Sequence, residues 1–376
     1  MKRFIDKYNL FFFIPLVVLM IASFFCMFES RFVKELYTSH LVKQILWFFV
    51  GFLILFLLQK IKVKFLFRYS FYFYLLGVFL LLLVLVFGHE VNGARAWFSF
   101  KIFNFQPSEF MKIALLLYLA KLTNDFQLNE KKKEFFYIVK CVLVVLIPSI
   151  LVFLEPDTGA IMMYLLLLIA VLFVSGIRKR WFVLAFLCVI SLGGVFFYLY
   201  FFQQDMLISL IGTSFFYRMD RLIHFNDGSG MQLNNALTTI GNAGIFGHGI
   251  QKELLYVPEF PTDFAFTLFL SMFGFVGGAV LLFTFFIMNG FFISRYFSVK
   301  QTEYKCFLHG FLFLFLFQQI QNIFMNLGLA PIMGIPLPFL SYGGSNMFVY
   351  FIFIGIILNI TKKEPITCQK KLRTIF

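Results

Sequence analysis

About ten stretches of this chain are apolar for roughly 20 residues apiece, and that periodic supply of membrane-length segments constrains the fold more than any motif does. Their centres fall near Val17, Leu53, Leu80, Leu116, Val145, Leu167, Leu187, Phe275, Phe315 and Phe353. Hydrophobic residues make up 61% of the 376 residues and charged residues 13%, so a soluble domain could not hide the apolar surface. The expected class is an all-α polytopic integral membrane protein with about ten transmembrane helices. The first segment is too long, and too similar to the others, for a cleaved signal peptide, and no Ala-x-Ala site follows it. It is expected to be retained. One domain is expected over 1–376, with a large extracytoplasmic loop at 203–262 between spans seven and eight and a short cytoplasmic tail at 361–376.

The net charge of +14 is distributed by topology. Lys2, Arg3 and Lys7, then Lys60, Lys62, Lys64 and Arg68, then Lys121 and Lys131 to Lys133, fall on one side. So do Arg178, Lys179 and Arg180, then Arg295, Lys300 and Lys305, and the tail from Lys362 to Arg373. The other side keeps only Arg31, Lys34, Lys43, Arg95, Lys101, Arg218, Arg221 and Lys252. This is the positive-inside bias, with both termini cytoplasmic and an even number of spans. The basic balance therefore reports contact with anionic membrane lipids, and no nucleic-acid partner is expected. The cysteines show no Cys-x-x-Cys pair, so neither a disulfide framework nor a zinc site is indicated.

Polar groups that a membrane chain would not carry idly cluster in a few places. Phe105-Gln106-Pro107-Ser108-Glu109 opens the fourth span, and Pro107 suits a first helical turn. Ser108, Glu109 and Lys112 share one helix face. Ionisable groups at that depth either pair with each other or face a cavity. Trp97 reads as an interfacial anchor or as part of a site. The turn Glu155-Pro156-Asp157 puts two carboxylates at the outer edge, either as a turn with Asp157 capping the next helix or as ligands for a metal. In the ninth span Gln318, Gln319, Gln321 and Asn322 need hydrogen-bond partners. After it, Pro336, Pro338, Gly343 and Gly344 cannot continue a helix, so a non-helical segment at membrane depth must be buried in protein or line a cavity.

The densest polar stretch runs from Tyr217 to Asp263 and is too long for an idle connection. Arg218 and Arg221 share a helix face, Gln232, Asn234 and Asn235 supply amides, and no nucleotide-binding glycine pattern occurs. The stretch ends Pro258-Glu259-Phe260-Pro261-Thr262-Asp263. Asp263 in the first turn of a span is either a carboxylate favoured by the helix dipole or a general base.

Four motifs in order carry a family resemblance: Asn92-Gly93-Ala94-Arg95-x-Trp97, Phe105-Gln106-Pro107-Ser108-Glu109-x-x-Lys112, Pro258-Glu259-x-x-Thr262-Asp263-Phe264, and Gly334 to Ser345 with Pro336, Pro338, Ser341, Tyr342, Gly343 and Gly344. Together they resemble the SEDS family (shape, elongation, division and sporulation), the peptidoglycan polymerases of the RodA and FtsW type. The resemblance implies ten transmembrane helices in the bacterial cytoplasmic (inner) membrane. It implies an extracytoplasmic site that polymerises lipid II into undecaprenyl-linked glycan, with a class B penicillin-binding protein as transpeptidase partner. Asp263 corresponds to the family's essential aspartate and would deprotonate the acceptor hydroxyl. Arg95, Lys112, Arg218 and Arg221 are candidates for the charge of the pyrophosphate leaving group. Trp97, Ser108, Glu109, Gln232, Glu259, Thr262, Asn322, Pro338, Ser341, Tyr342, Gly343, Gly344 and Ser345 are candidate substrate contacts. A divalent cation, Mg or Mn, could assist, with Glu155 and Asp157 the candidate ligands.

The chain departs from the family pattern at Arg95-Ala96, where a second arginine is frequent, and at Ser271-Met272-Phe273-Gly274, where two carboxylates are frequent. The short tails and the Gly334-Ile335-Pro336-Leu337-Pro338 form point to the elongation, RodA-like branch, with the division branch as the alternative. A lipid II flippase without bond chemistry is a competing reading. It calls for a polar site near the bilayer midplane, whereas these polar groups gather at the outer edge.

Overall fold

The computed structural model describes residues 7–34, 37–91, 94–100, 104–129, 133–213, 216, 219–220, 223, 230–251 and 255–363. The helices are α1 (Lys7–Val33), α2 (His40–Leu58), α3 (Val63–Arg68), α4 (Ser70–Phe87), α5 (Pro107–Asn129), α6 (Glu134–Leu154), α7 (Thr158–Ser175), α8 (Lys179–Phe202), α9 (Gln204–Ile211), α10 (Met231–Ala243), α11 (Ala265–Ser298), α12 (Thr302–Asn326) and α13 (Gly344–Lys363). Among the described residues, 9 helices are long and apolar enough to cross a membrane. The tenth expected segment, around Leu116, is α5. Its charges Glu109, Lys112, Lys121 and Asp125 set it apart in composition, and it is the helix the others enclose: Met111 and Leu115 to Ala120 are all buried.

Burial follows from who surrounds whom. Helix α5 packs against α4, α6, α7, α12 and α13, and α13 also packs along α2. Helices α2 and α4 bury one narrow stripe each and turn Phe, Leu and Val outward, as lipid-facing helices do. Helix α8 buries only Tyr200 and packs on α9. Its first turns are tied to α6, where Glu134 accepts from Trp181 Nε1 at 2.8 Å and pairs with Arg178 at 3.4 Å and Arg180 at 3.7 Å.

Two features go beyond the sequence reading. Between α4 and α5 lies a small antiparallel sheet of β1 (His89–Val91), β2 (Ala94–Ser99) and β3 (Asn104–Phe105), in the order β1-β2-β3 with Trp97 opposite His89 and Phe98 opposite Phe105. Helix α11 is broken at Gly274 (φ 61°, ψ −159°), and the freed backbone groups are met by the segment after α10. There His248 N donates to Ser271 O, Gly249 N to Met272 O, Phe275 N to Gly244 O and Val276 N to Ile245 O, at 2.8 to 3.1 Å. A break inside an apolar span survives only with such partners.

The stretch 203–262 carries α9 and α10, and α10 packs on α11. Arg218, Arg221, His224 and Glu253 lie outside the described residues, as do Asn92, Gly93 and the tail from 364 onward. The four described cysteines, Cys26, Cys141, Cys188 and Cys306, are free thiols.

Candidate active site

Four helices begin at one place. Helix α5 starts at Pro107, the first-turn position expected for it, and one turn in, Lys112 Nζ meets Glu109 Oε2 at 2.7 Å with both side chains buried. Helix α7 starts behind Asp157, whose Oδ1 accepts from Ala160 N at 3.0 Å as an N-cap. Its Oδ2 accepts from Gln106 Nε2 at 2.9 Å and Ser108 Oγ at 3.2 Å, so one carboxylate joins the starts of α5 and α7. Helix α13 begins at Gly344, and Ser345 Oγ accepts from Gln106 N at 3.0 Å while donating to Asn104 O at 2.9 Å. The fourth start is the turn Pro258 to Phe264, in which Glu259 O accepts from the N–H groups of Thr262, Asp263 and Phe264.

These starts surround a cavity of about 640 Å³. Its wall also includes the non-helical segment after α12, through Met333, Gly334, Ile335, Pro336, Tyr342 and Gly343. The expectation that this Pro- and Gly-rich segment lines a cavity is met, and the ninth-span amides hold it in place. Gln318 Nε2 donates to Pro336 O at 3.2 Å, Gln321 Nε2 to Pro331 O at 3.0 Å and Asn322 Nδ2 to Ile335 O at 2.8 Å. Asn322 Nδ2 also donates to Asp263 O at 2.9 Å, joined by Asn326 Nδ2 at 3.1 Å, so two buried amides of α12 fix the backbone of Asp263.

The Asp263 side chain is half-buried and lines the cavity. Burial, with the negative charge of Glu259 beside it, pushes its carboxyl from the ordinary 3.8 up to about 7. A helix start favours the charged carboxylate, and here desolvation outweighs it. A carboxylate poised near neutral pH can take a proton from a hydroxyl and release it again.

The structure brings Trp97, Glu109, Lys112, Asp157, Glu259, Thr262, Asp263, Tyr342, Gly343, Gly344 and Ser345 onto this one cavity wall. Other candidates lie elsewhere. Arg95 is exposed on β2 and outside the lining. Ser108, Asn322 and Ser341 are buried behind the wall, Ser341 Oγ accepting from Leu337 N at 2.8 Å, and Pro338 is buried with them. Gln232 on α10 donates to Pro258 O at 2.9 Å and so supports the turn carrying Asp263. Lys43 and Trp47 of α2, with Gln318 and Asn346, line the cavity without having been singled out as site residues. The available signal was Lys43 and Trp47, four apart on one face of the second span.

Among the described residues, Glu155 and Asp157 do not form an open cation site. Glu155 is fully buried, off the cavity wall, with neither oxygen hydrogen-bonded, and burial plus the charge of Asp157 pushes it up to about 8. Both Asp157 oxygens are already engaged, and among the described residues no three His, Cys, Asp or Glu side chains are grouped to hold a metal.

The family model described as cell cycle protein, covering FtsW, RodA and SpoVE, matches residues 4–365. The chain belongs to this family. Among its FtsW/RodA/SpoVE relatives, the probable peptidoglycan glycosyltransferase FtsW of Thiomicrospira cyclica is 33% identical over 292 residues, covering 73% of this chain and 70% of that protein. The stage V sporulation protein E of Bacillus subtilis is 30% identical over 282 residues, covering 72% of each. The fold is shared with RodA of Thermus thermophilus (TM-score 0.65, 26% identity, 93% of this chain and 96% of that one). It is also shared with a chain of a peptidoglycan synthase complex solved to explain the coordination of polymerization and crosslinking (TM-score 0.74, 26% identity, 93% and 97%).

Proposed function

We propose that this FtsW/RodA/SpoVE-family enzyme polymerises lipid II into glycan strands at the cavity, with Asp263 as general base. The observation that carries the reading is Asp263 itself, a half-buried carboxylate held near neutrality in the wall of a cavity large enough for sugar rings. The Asp263 carboxylate takes the proton of the acceptor sugar hydroxyl, and that oxygen bonds to the donor's anomeric carbon from the face opposite the leaving group. The anomeric carbon–oxygen bond to undecaprenyl pyrophosphate breaks with its electron pair on the pyrophosphate, giving inversion.

The cavity is assigned to the extracytoplasmic side, with both termini cytoplasmic. Helix α2 supports this, since Lys43 and Trp47 face the cavity near its start, while Lys60, Lys62 and Lys64 follow its far end about 28 Å away. The partner is a class B penicillin-binding protein, and the likeness to a synthase complex that couples polymerization with crosslinking supports it. The curated relatives named above belong to division and sporulation, so the division role is preferred to the elongation role read from the tails and the Gly334 to Pro338 form.

The test is glycan polymerisation by the purified protein with its cognate penicillin-binding protein, comparing wild type with Asp263→Asn. Polymer made by the wild type and lost in a folded Asp263→Asn variant supports the assignment. Undiminished polymer from that variant would return Asp263 to a helix-start role, and lipid II crossing vesicle membranes without polymer would make the protein a flippase.

A further inference from the structure

Inverting transfer expels a diphosphate, and developing negative charge calls for prearranged donors. Among the described residues, the cations expected from sequence bring no unpaired charge to the cavity wall. Arg95 is outside the cavity wall, Arg218 and Arg221 are outside the described residues, and Lys112 is sealed against Glu109 at 2.7 Å, leaving that pair without net charge. Lys43 also lines the cavity, and it forms no ion pair among the described residues.

Its position is built rather than incidental. Gln44 Nε2 donates to Ser23 Oγ at 2.9 Å and to Ser341 O at 3.3 Å, and Ser23 Oγ donates to Leu340 O at 2.9 Å. His40 stacks on Tyr342 with ring centroids 4.0 Å apart. One turn beyond Lys43, the Trp47 ring lies so close to Gly344 that a Cβ there would sit 3.1 Å from it. His40, Lys43, Gln44 and Trp47 recur at helical spacing, so one face of α2 is laid along 340–344 and Lys43 stands beside the start of α13.

That start offers donors. The first N–H groups of a helix have no intrahelical acceptor, and they carry the positive end of its dipole. Asn346 is 7% exposed and faces the cavity. Its Oδ1 accepts from Gln318 Nε2 at 3.5 Å, while its amide nitrogen donates to no group among the described residues. An ammonium, an unused amide and a helix start therefore line the same cavity, while Glu259 and Asp263 bring carboxyl groups on a different element.

We infer that Lys43, Asn346 and the first turn of α13 form the subsite for the diphosphate of the lipid-linked donor. The inference rests on the glycosyl transfer proposed above and assigns the leaving group to these donors. Base and leaving group are then held by separate elements, as displacement from opposite faces of one carbon requires.

Trp47 and Trp97 both line the cavity, so intrinsic fluorescence reports its occupation. The full-length protein in nanodiscs is titrated with inorganic pyrophosphate, with undecaprenyl diphosphate and, separately, with phosphatidylglycerol. Wild type, Lys43→Gln, Lys43→Arg and Asn346→Asp are compared, each checked for folding by its melting transition. Loss of one charge-assisted contact is expected to weaken diphosphate binding about tenfold or more in Lys43→Gln. Lys43→Arg should retain most of it, and Asn346→Asp should lose it by charge repulsion. In polymerisation assays Lys43→Gln should lower kcat/KM for lipid II by a similar factor. Equal diphosphate affinity in wild type and Lys43→Gln overturns the inference. Equal Lys43-dependent affinity for phosphatidylglycerol makes this a general phospholipid headgroup site and also overturns it. Lys43-dependent diphosphate binding by a protein that makes no polymer leaves the subsite standing while refuting the polymerase reading. Should Lys43→Gln not fold, Asn346→Asp, on a different helix, decides the question.

Discussion

Polymerisation by this protein should have an acid limb set by Asp263. With the carboxyl near 7, about 90% of it is ionised at pH 8, about 10% at pH 6 and about 1% at pH 5. A rate that needs the carboxylate should therefore fall about tenfold per pH unit below neutrality, and about ninetyfold between pH 8 and pH 5. Stability moves the other way for this group. Its folded value lies above the ordinary 3.8, so the native state holds the proton to higher pH than the unfolded chain does. The contribution is favourable at low pH and is lost as pH rises from about 4 through about 7, with an upper bound of roughly 4 kcal/mol before solvent screening. Acid should thus stop the reaction without this group unfolding the protein. The assay is the initial rate of glycan formation from saturating lipid II between pH 5 and 8, beside melting curves at each pH. Glu259→Gln removes the neighbouring negative charge and should move the limb towards lower pH. A rate that stays flat from pH 8 to pH 5 would refute the reasoning, as would a limb that Glu259→Gln moves upward.

Two further outcomes test how the site is held. Lys112→Met strands the Glu109 carboxylate in a buried position and should cost about 3–5 kcal/mol, whereas Glu109→Gln combined with Lys112→Met should recover much of that loss. Melting transitions in detergent read both, and a double variant as unstable as the sum of the two singles would show that the pair is not coupled. At Gly274 a Cβ would fall 2.3 Å from Gly247 N, with a positive φ that side chains avoid, so Gly274→Ala should destabilise by more than about 3 kcal/mol. A melting temperature unchanged in that variant would show that the break in α11 can relax.

The membrane-spanning helices could be read directly from the sequence, because each apolar run must satisfy its own backbone in lipid and so must be helical. The same holds for Pro107 at a helix start and for the non-helical Pro336 to Gly343, since ring geometry and glycine freedom act within a residue or two. Asp263 and Glu109 could be flagged because ionisable groups at the edge of an apolar span are costly. What sequence could not state is which of these groups share a space. Gln106, Asp157 and Ser345 come from three different elements, and hydrogen bonds between the starts of α5, α7 and α13 bring them together. Whether desolvation or the helix start would decide the Asp263 carboxyl depended on the packing around it. Lys43 reads in sequence as one more outer-face lysine, and only the seating of α2 on Ser341 and Gly344 puts it at the cavity. Local backbone chemistry determined the elements, and long-range packing determined which charges meet, because electrostatic effects depend on distance and burial rather than on order along the chain.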